Sequence, residues 1–342
     1  MTRYVIIGAG AVGASLAAQF QLSGINYALV GRGAQISHIR QHGLDYQRPS
    51  GTQQINLNAF DLAEPPKLTS DDILLLTVKS QDAAGALAFW SWRSLSGTTA
   101  TAAEILPVVT FQNGLATETA ALRTFAHVYG ASILTPARFT ETGTVVVGGD
   151  PDVGVVTLGR FQLGRDQTSD RIVADLNQAG YLAEASTDIR RWKSAKLLYN
   201  VKNVLELFDG SADLRTSIGD ALVEEARRAL QAAGYKLASP SERTIDVSNW
   251  KVAKNSGIQP GQQSTWQSFK RGASSEVDFL NGEIVLLGRL HDIPTPHNEA
   301  VQILAGRLEQ QRVFSEALPL DAILAIVDNS PHERQTGLAA AR

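Results

Sequence analysis

The chain has 342 residues, of which 44% are hydrophobic and 19% are charged, a composition typical of a globular protein long enough for two domains. Its net charge of −3 favours neither nucleic acid nor an anionic membrane as a partner, and no apolar run reaches the roughly 18 residues of a membrane helix. Cysteine is absent, which excludes disulfides, thiolate metal sites and a cysteine nucleophile. Because the first strand begins at residue 3 or 4, leaving no room for a signal peptide, we expect a cytoplasmic protein.

The first predicted strand, residues 4–7, runs directly into a glycine fingerprint and then into a helix. The fingerprint reads Gly8-Ala9-Gly10-Ala11-Val12-Gly13. In this pattern the first glycine permits a tight turn, the second lets a pyrophosphate approach the backbone, and the third lets helix and strand pack closely. The helix N-terminus then attracts the pyrophosphate. Residues 8–13 therefore predict a dinucleotide site; the alternative is a glycine-rich turn in another kind of α/β protein.

The second predicted strand, residues 26–31, ends beside a cation. NAD sites usually place Asp or Glu here for the ribose 2′-hydroxyl, whereas NADP sites place an Arg near the 2′-phosphate. Arg32 stands just past the strand, and its guanidinium suits phosphate. We therefore predict NADP (NADPH) as the cofactor, with a solvated surface arginine as the alternative.

Strands and helices then alternate as far as residue 185, which predicts a doubly wound parallel sheet. Residues 44–60 look extended, with a turn at residues 48–51. Further strands are predicted at residues 72–78, 106–111, 128–134 and 181–185, and helices at residues 34–42, 83–95, 114–125 and 170–179. Residues 142–151 and 153–158 are rich in Thr, Val and Gly and predict antiparallel strands that extend the sheet.

From residue 187 onward the strand signal disappears, and amphipathic helical patterns cover residues 192–208, 212–233, 278–291 and 296–311. The predicted fold is therefore an α/β Rossmann-type domain at residues 1–187, followed by an all-helical domain at residues 188–342. His38 and His42 have the i, i+4 spacing of metal ligands. No third ligand accompanies them, so we expect surface histidines and no metal.

Two polar positions follow predicted strands of the first domain. Lys79 comes after the strand at residues 72–78, and Asn113 closes the next strand, followed by Gly114. Ligands of open α/β sheets bind at the carboxyl ends of strands. We therefore expect both side chains at the ligand; a surface lysine and an ordinary Asn-Gly turn are the alternatives.

In the second domain, Lys196, Asn200 and Asn203 fall on one face of a predicted helix that is otherwise suited to burial. Such polar groups are costly without a partner, which favours a functional role over solvated residues. Lys193 and Lys202 are expected to lie away from this face. Glu276 opens a later helix, where the helix dipole alone would favour an acid.

Taken together, these motifs resemble the ketopantoate reductase family. The match runs in order through the fingerprint, Thr77-Val78-Lys79, Gln112-Asn113-Gly114, Lys196-Leu197-Leu198-Tyr199-Asn200, Ser264 and the segment 276–282. The resemblance implies a Rossmann domain and a helical domain with a cleft between them. It also implies NADPH-dependent reduction of a 2-keto acid, first of all 2-dehydropantoate to pantoate in pantothenate biosynthesis.

The resemblance assigns roles to single residues. Lys196 matches the catalytic proton donor, while Asn200 and Ser264 match substrate-binding residues, and we add Asn203 to these. Asn113 matches an asparagine shared between cofactor and substrate. The cofactor-side positions, besides residues 8–13 and Arg32, are Lys79, Ala137 and Glu276.

The chain departs from the family pattern at several places. Trp192 lies four residues before Lys196, where a tryptophan two residues before is usual, and Trp266 stands close to the substrate position of Ser264. Extra residues occur near 44–60, 92–103 and the C-terminus. The substrate is therefore left open between 2-dehydropantoate, another bulky 2-keto acid and an imine, and a non-catalytic NADP-binding sensor is the further alternative. The partner is expected to be a small molecule, and a homodimer is left open.

Overall fold

The computed structural model describes residues 1–139, 141–254, 256, 275–311 and 317–329. It divides into two compact units, Met1–Lys193 with Ser239–Gln259 and Ser194–Ala238 with Pro260–Arg342. The predicted α/β class with a helical second part is confirmed. The predicted domain boundary between residues 187 and 188 does not account for residues 239–259, which belong to the first unit although they follow part of the second unit in sequence.

The helices and strands of the first unit alternate as far as residue 185. Its helices are α1 (Ala11–Leu22), α2 (Gly33–His42), α3 (Ser80–Ser91), α4 (Ala102–Ile105), α5 (Ala116–Ala121) and α6 (Gln167–Gln178), and α7 (Ile189–Asn200) ends in the second unit. Its strands are β1 (Arg3–Ile7), β2 (Tyr27–Gly31), β3 (Leu44–Arg48), β4 (Gly51–Ile55), β5 (Ala59–Asp61), β6 (Asp72–Leu76), β7 (Pro107–Thr110), β8 (His127–Leu134), β9 (Ala137–Arg138), β10 (Thr144–Val147), β11 (Gly149–Asp150), β12 (Val155–Arg160) and β13 (Leu182–Ala185).

The main sheet has the strand order β13-β12-β8-β7-β6-β1-β2-β5. Every neighbouring pair is parallel except β8 and β12, which are antiparallel. The chain proceeds from β1 to β2 on one side and later crosses to β6 on the other side. The strand order therefore reverses at β1, and the carboxyl ends of β1 and β6 form the crevice in which such sheets bind ligands.

Residues 142–151 are placed differently from the prediction. Only β12 extends the main sheet, whereas β10 joins a second sheet in the order β4-β3-β10-β9. In that sheet β10 is parallel to β3 and antiparallel to β9. The extended hairpin predicted at residues 44–60 is present, and its strand β3 provides the edge on which β10 pairs.

Both faces of the main sheet are buried. Along β1, Tyr4 and Ile6 pack into one hydrophobic cluster, and Val5 and Ile7 pack into another. Successive side chains of a strand point to opposite faces, so a strand covered on both sides is continuously apolar. This burial, at roughly 1.5–3 kcal/mol for each large side chain, holds the carboxyl ends of the strands in place.

Among the described residues, the second unit contains α8 (Ala212–Ala232) and the helices Val277–His291, Pro296–Gln311 and Asp321–Val327. The helix predicted at residues 192–208 is shorter than expected, because α7 ends at Asn200 and a 3-10 helix follows at Asn203–Leu207. In the part of the chain that the structure describes, no helix combines the length and apolar character needed to cross a membrane.

Candidate active site

The fingerprint turn lies at the carboxyl end of β1 and is sterically tight. Gly8 has a φ of +118°, and a Cβ there would lie 2.8 Å from the backbone nitrogen of Val78. A Cβ on Gly13 would collide with the carbonyl oxygen of Gly8 and the hydroxyl of Thr77. Only glycine fits either position, so the residue type at both is dictated by the turn and by the close packing of α1 on β1.

The N-terminus of α1 is open to an anion. Gly10 is its N-cap and supplies no side-chain cap, and its first turn, which contains Ala11 and Val12, carries no acid. A Cβ at Gly10 would meet no atom of the described residues within 4 Å. Backbone N–H groups at an uncapped helix start seek an acceptor, and the helix dipole favours a negative charge. The loop therefore fits a pyrophosphate group.

Thr77, which directly follows β6, connects the end of this strand to the fingerprint turn by hydrogen bonding. Its hydroxyl lies 3.0 Å from the carbonyl oxygen of Ile7 and 2.9 Å from that of Gly8, and it can donate to either. Lys79, two residues later, is the N-cap of α3 in an extended conformation. The structure therefore brings Lys79 to the neighbouring strand end, as the sequence predicts. Contact of Lys79 with a ligand stays a prediction.

Arg32 follows β2 and is the N-cap of α2. Its side chain is 71% exposed and donates to Asp82 in the first turn of α3, with 2.9 Å between Nη2 and Oδ1. An ion pair this exposed is weak, at about 0–1 kcal/mol, so a phosphate can displace the carboxylate. Arg32 is thus placed near the end of β2, where a 2′-phosphate is expected in such folds.

The segment after β7 holds Asn113 in a fixed turn. The side-chain amide of Gln112 donates to the carbonyl oxygens of Leu76 and Val78, at 2.9 and 2.8 Å, which ties this turn to the end of β6. The side-chain oxygen of Asn113 is buried and has no hydrogen-bond partner among the residues that the structure describes. A buried acceptor without a partner is costly, which marks Asn113 as a ligand-binding candidate.

The position of Lys193 differs from the prediction made for it from the sequence. It is buried in the first unit and forms an ion pair with Glu118, and its ammonium donates to the carbonyl oxygen of Gln112 at 2.7 Å. The expectation that Lys193 lies away from the face of Asn200 is wrong. The two residues are seven apart, two helical turns, and so share a face. Lys202, by contrast, is exposed.

Asn200 and Asn203 are both buried in the second unit, with 5% and 7% of their surface exposed. Within the described part of the chain, the side-chain nitrogen of Asn200 has no hydrogen-bond partner. Lys196, one turn earlier on α7, is half-buried. Because α7 ends at Asn200, Asn203 starts the 3-10 helix and is not part of the predicted α-helical stripe. An orphaned amide donor near an ammonium suits an anionic ligand.

A buried polar network supports the end of α7. The amide of Asn281 donates to the carbonyl oxygen of Val201 at 2.9 Å and to the side-chain oxygen of Asn298 at 3.0 Å. Asn298 in turn donates to Glu225, whose other carboxylate oxygen lies 2.8 Å from Nδ1 of His297. Sequence reasoning missed this network, although Asn281 belongs to a quoted motif, because its partners are distant in sequence.

The remaining predicted positions are placed as follows. Glu276 is the N-cap of the helix Val277–His291 and is buried, and Ser275 accepts a hydrogen bond from the N–H of Val277 at 3.2 Å. Ala137 lies on β9 and packs against the core cluster that Val12 of α1 also contacts. Ser264 and Trp266 lie outside the described residues.

The rings of His38 and His42 are 4.8 Å apart between centroids and tilted at 54° to each other. Over the described ranges, no group of three His, Cys, Asp or Glu residues could hold a metal ion.

Comparison with known proteins adds to this geometry. Residues 4–162 match the family described as ketopantoate reductase PanE/ApbA, and residues 188–309 match its C-terminal domain. A 2-dehydropantoate 2-reductase of Pyrococcus horikoshii is 26% identical over 306 residues, which cover 86% of this chain and 93% of that protein. A protein of the same name from Mesorhizobium japonicum is 28% identical and covers 91% and 98% of the two chains.

Solved structures share the fold. A PanE/ApbA family ketopantoate reductase from Ralstonia eutropha superposes with a TM-score of 0.72 at 22% identity, covering 91% of this chain and 99% of that one. D-mandelate dehydrogenase in a ternary structure with NADH and anilino(oxo)acetate gives a TM-score of 0.73 at 18% identity and the same coverage. Because the two family models together match most of its length, the chain belongs to the ketopantoate reductase family and is an oxidoreductase.

Proposed function

We propose that the protein reduces a 2-keto acid to a 2-hydroxy acid with NADPH, and that 2-dehydropantoate is the first candidate substrate. The observation that carries the proposal is the orphaned amide nitrogen of Asn200, buried one helical turn from Lys196. A buried donor without a partner costs about 1–3 kcal/mol, so such a group usually serves a ligand. The carboxylate or hydroxyl oxygen of a hydroxy or keto acid supplies the missing acceptor.

The cofactor proposal rests on the first unit. The open N-terminus of α1 at Gly10 fits the pyrophosphate, and Arg32 at the end of β2 fits a 2′-phosphate. No acid stands at the end of β2, where an NAD site usually has one. Several relatives carry the name 2-dehydropantoate 2-reductase, which favours this substrate. D-mandelate dehydrogenase, whose structure contains NADH, makes an aromatic 2-keto acid the second candidate.

A bound reduced nicotinamide would supply the hydride equivalent that the keto carbon accepts. The ammonium of Lys196 would stabilise the negative charge on the keto oxygen and donate a proton from Nζ, which gives the hydroxyl group. Asn200, Asn203 and Ser264 hold the carboxylate of the substrate and so fix the direction of its carbonyl. The side-chain oxygen of Asn113, which is buried without a partner, accepts from cofactor or substrate.

The proposal leaves two further properties as predictions. These are the cytoplasmic location and the homodimer. The homodimer has support from the dimeric ketopantoate reductase of Staphylococcus aureus, whose structure shares the fold at 16% identity and a TM-score of 0.67.

The test is NADPH oxidation against a panel that contains 2-dehydropantoate, smaller aliphatic 2-keto acids and an aromatic 2-keto acid. On the best substrate, Lys196→Ala is expected to lower kcat by roughly 10²–10⁴-fold, because it removes the proton donor, while NADPH still binds. The exposed Lys202 provides the control, and Lys202→Ala should keep kcat near the wild-type value. NADPH binding without turnover of any substrate would favour the sensor, and an active Lys196→Ala would remove this residue from the mechanism.

A further inference from the structure

The ion pair of Lys193 and Glu118 is almost completely buried. The side chains are 2% and 0% exposed, and both belong to the first unit. Two buried charges lose their hydration, and an apolar pair of similar volume is often as stable or more stable. Glu118 also leaves its second oxygen, Oε2, without a hydrogen-bond partner in the structure. Stability alone is therefore a poor explanation of this pair.

The contacts of the pair enclose the segment that carries Asn113. Glu118 lies in the first turn of α5 and accepts from the hydroxyl of Thr110, the last residue of β7, at 2.6 Å. The ammonium of Lys193 donates to the carbonyl oxygen of Gln112 at 2.7 Å. The pair thus contacts two residues before Asn113, Thr110 and Gln112, and Glu118 itself follows Asn113 in the chain. The contact at Gln112 is on the peptide group directly preceding Asn113.

The route of the Lys193 side chain is also fixed. A Cβ added to Gly130 of β8 would lie 3.4 Å from Cδ of Lys193, so the aliphatic stem passes closely over this strand. Two acceptors, Glu118 and the Gln112 carbonyl, share the three hydrogens of the ammonium. Because Glu118 and the Gln112 carbonyl already accept from its ammonium group, Lys193 is poorly suited to deliver a proton to the substrate itself.

We propose that Lys193 and Glu118 are positioning residues, which hold the Gln112–Asn113 peptide so that the orphaned side-chain oxygen of Asn113 faces its ligand. This inference rests on the proposed function, because Asn113 is taken to bind cofactor or substrate. Its physical basis is that a misplacement of about 1 Å in a reacting complex can lower the rate about 10²-fold. The pair then contributes to the rate by fixing Asn113, although neither side chain touches the reacting atoms.

The experiment compares Lys193→Met with the double variant Lys193→Met/Glu118→Met. The single variant leaves a buried carboxylate without its cation and should lower the melting temperature. The double variant removes both charges and should recover most of that loss. In both variants, kcat on the best 2-keto acid should fall by about 10–100-fold, because the Gln112 carbonyl has lost its donor.

Arg243→Met is the matched control for losing a buried ion pair elsewhere in the same unit. Arg243 pairs with Glu184 at 3.1 Å, with side chains 14% and 4% exposed, and it also donates to Thr157. Its guanidinium lies 4.7 Å from the ring centroid of Trp192, so it packs on α7 without a hydrogen bond to Lys193 or Gln112 among the described residues. This variant should lower the melting temperature and leave kcat near the wild-type value. Crystal structures of the wild type and the double variant provide the second measurement, in which the backbone of residues 112–114 should differ.

The outcomes separate this inference from the proposed function. Recovery of both melting temperature and kcat in the double variant would overturn the positioning role, as would an unchanged kcat in a folded Lys193→Met. If the wild type reduces no 2-keto acid, the proposed function fails. The crystal structures then decide, because an unmoved Asn113 in the double variant overturns the inference and a displaced Asn113 supports it.

Discussion

We expect cofactor preference to depend on Arg32. Its exposed guanidinium pairs with Asp82 and lies just past β2. Arg32→Ala should weaken NADPH binding by about 1.5–3 kcal/mol, the value of a hydrogen bond to a charged group, and leave NADH binding nearly unchanged. Titration of both cofactors, followed by nicotinamide fluorescence, measures the difference. A wild-type protein that prefers NADH would contradict the assignment.

Asp82→Asn tests the same site as Arg32→Ala by removing the carboxylate that pairs with Arg32. The carboxylate of Asp82 holds Arg32 and also carries a negative charge close to where the 2′-phosphate is expected. Removing that charge should strengthen NADPH binding slightly, and the effect should shrink at high salt, since exposed charges are screened. Tighter NADPH binding in this variant, with weaker binding in Arg32→Ala, would identify Arg32 as the phosphate ligand.

Asn200 is the second residue whose role can be measured singly. Its buried amide nitrogen has no partner in the structure, so a substrate oxygen is its expected acceptor. Asn200→Ala should raise KM for the best 2-keto acid, at a cost of about 1–3 kcal/mol in kcat/KM, and Ser264→Ala should behave similarly. Steady-state kinetics with saturating NADPH test this. Unchanged kinetics would place both residues outside the substrate pocket.

At the scale of elements, we expect the turn after β1 and the start of α1 to govern cofactor binding. A Cβ on Gly13 would collide with the Gly8 carbonyl, so Gly13→Ala should push α1 away from β1 and weaken NADPH binding at least about tenfold, or 1.4 kcal/mol. Gly85→Ala in α3 is the control, since a Cβ there meets no described atom within 4 Å and alanine favours the helix. Equal NADPH affinity in the two variants would show that the turn is not the binding site.

For the whole molecule, cofactor binding and stability are linked. A ligand that binds only the folded state at a concentration of 100 times its Kd adds about 2.7 kcal/mol to the free energy of unfolding. We expect NADPH to give this increase to the first unit, Met1–Lys193 with Ser239–Gln259, because the fingerprint and Arg32 both lie there. Urea denaturation with and without NADPH measures it. No stabilisation in the wild type, or equal stabilisation of Arg32→Ala at the same NADPH concentration, would contradict the proposed cofactor site.

Sequence patterns by themselves determined the local features of this protein. The fingerprint at residues 8–13, the alternation of strands and helices, and the helical second part depend on short-range properties such as backbone freedom, side-chain periodicity and burial of apolar runs. The positions of Arg32, Lys79 and Asn113 at strand ends follow from the same patterns, because parallel strands have their carboxyl ends at one edge.

Only the tertiary structure decided which distant groups meet. The Val-rich pattern of β10 predicts a strand but does not distinguish the edge of β3 from that of the main sheet. A lysine on a helix is normally solvated, and the burial of Lys193 follows from Glu118, which is 75 residues away in the chain but adjacent in space. Burial of a charge depends on its partner, and partners far apart in sequence leave no periodic signal, so this part of the site emerged only from the folded chain.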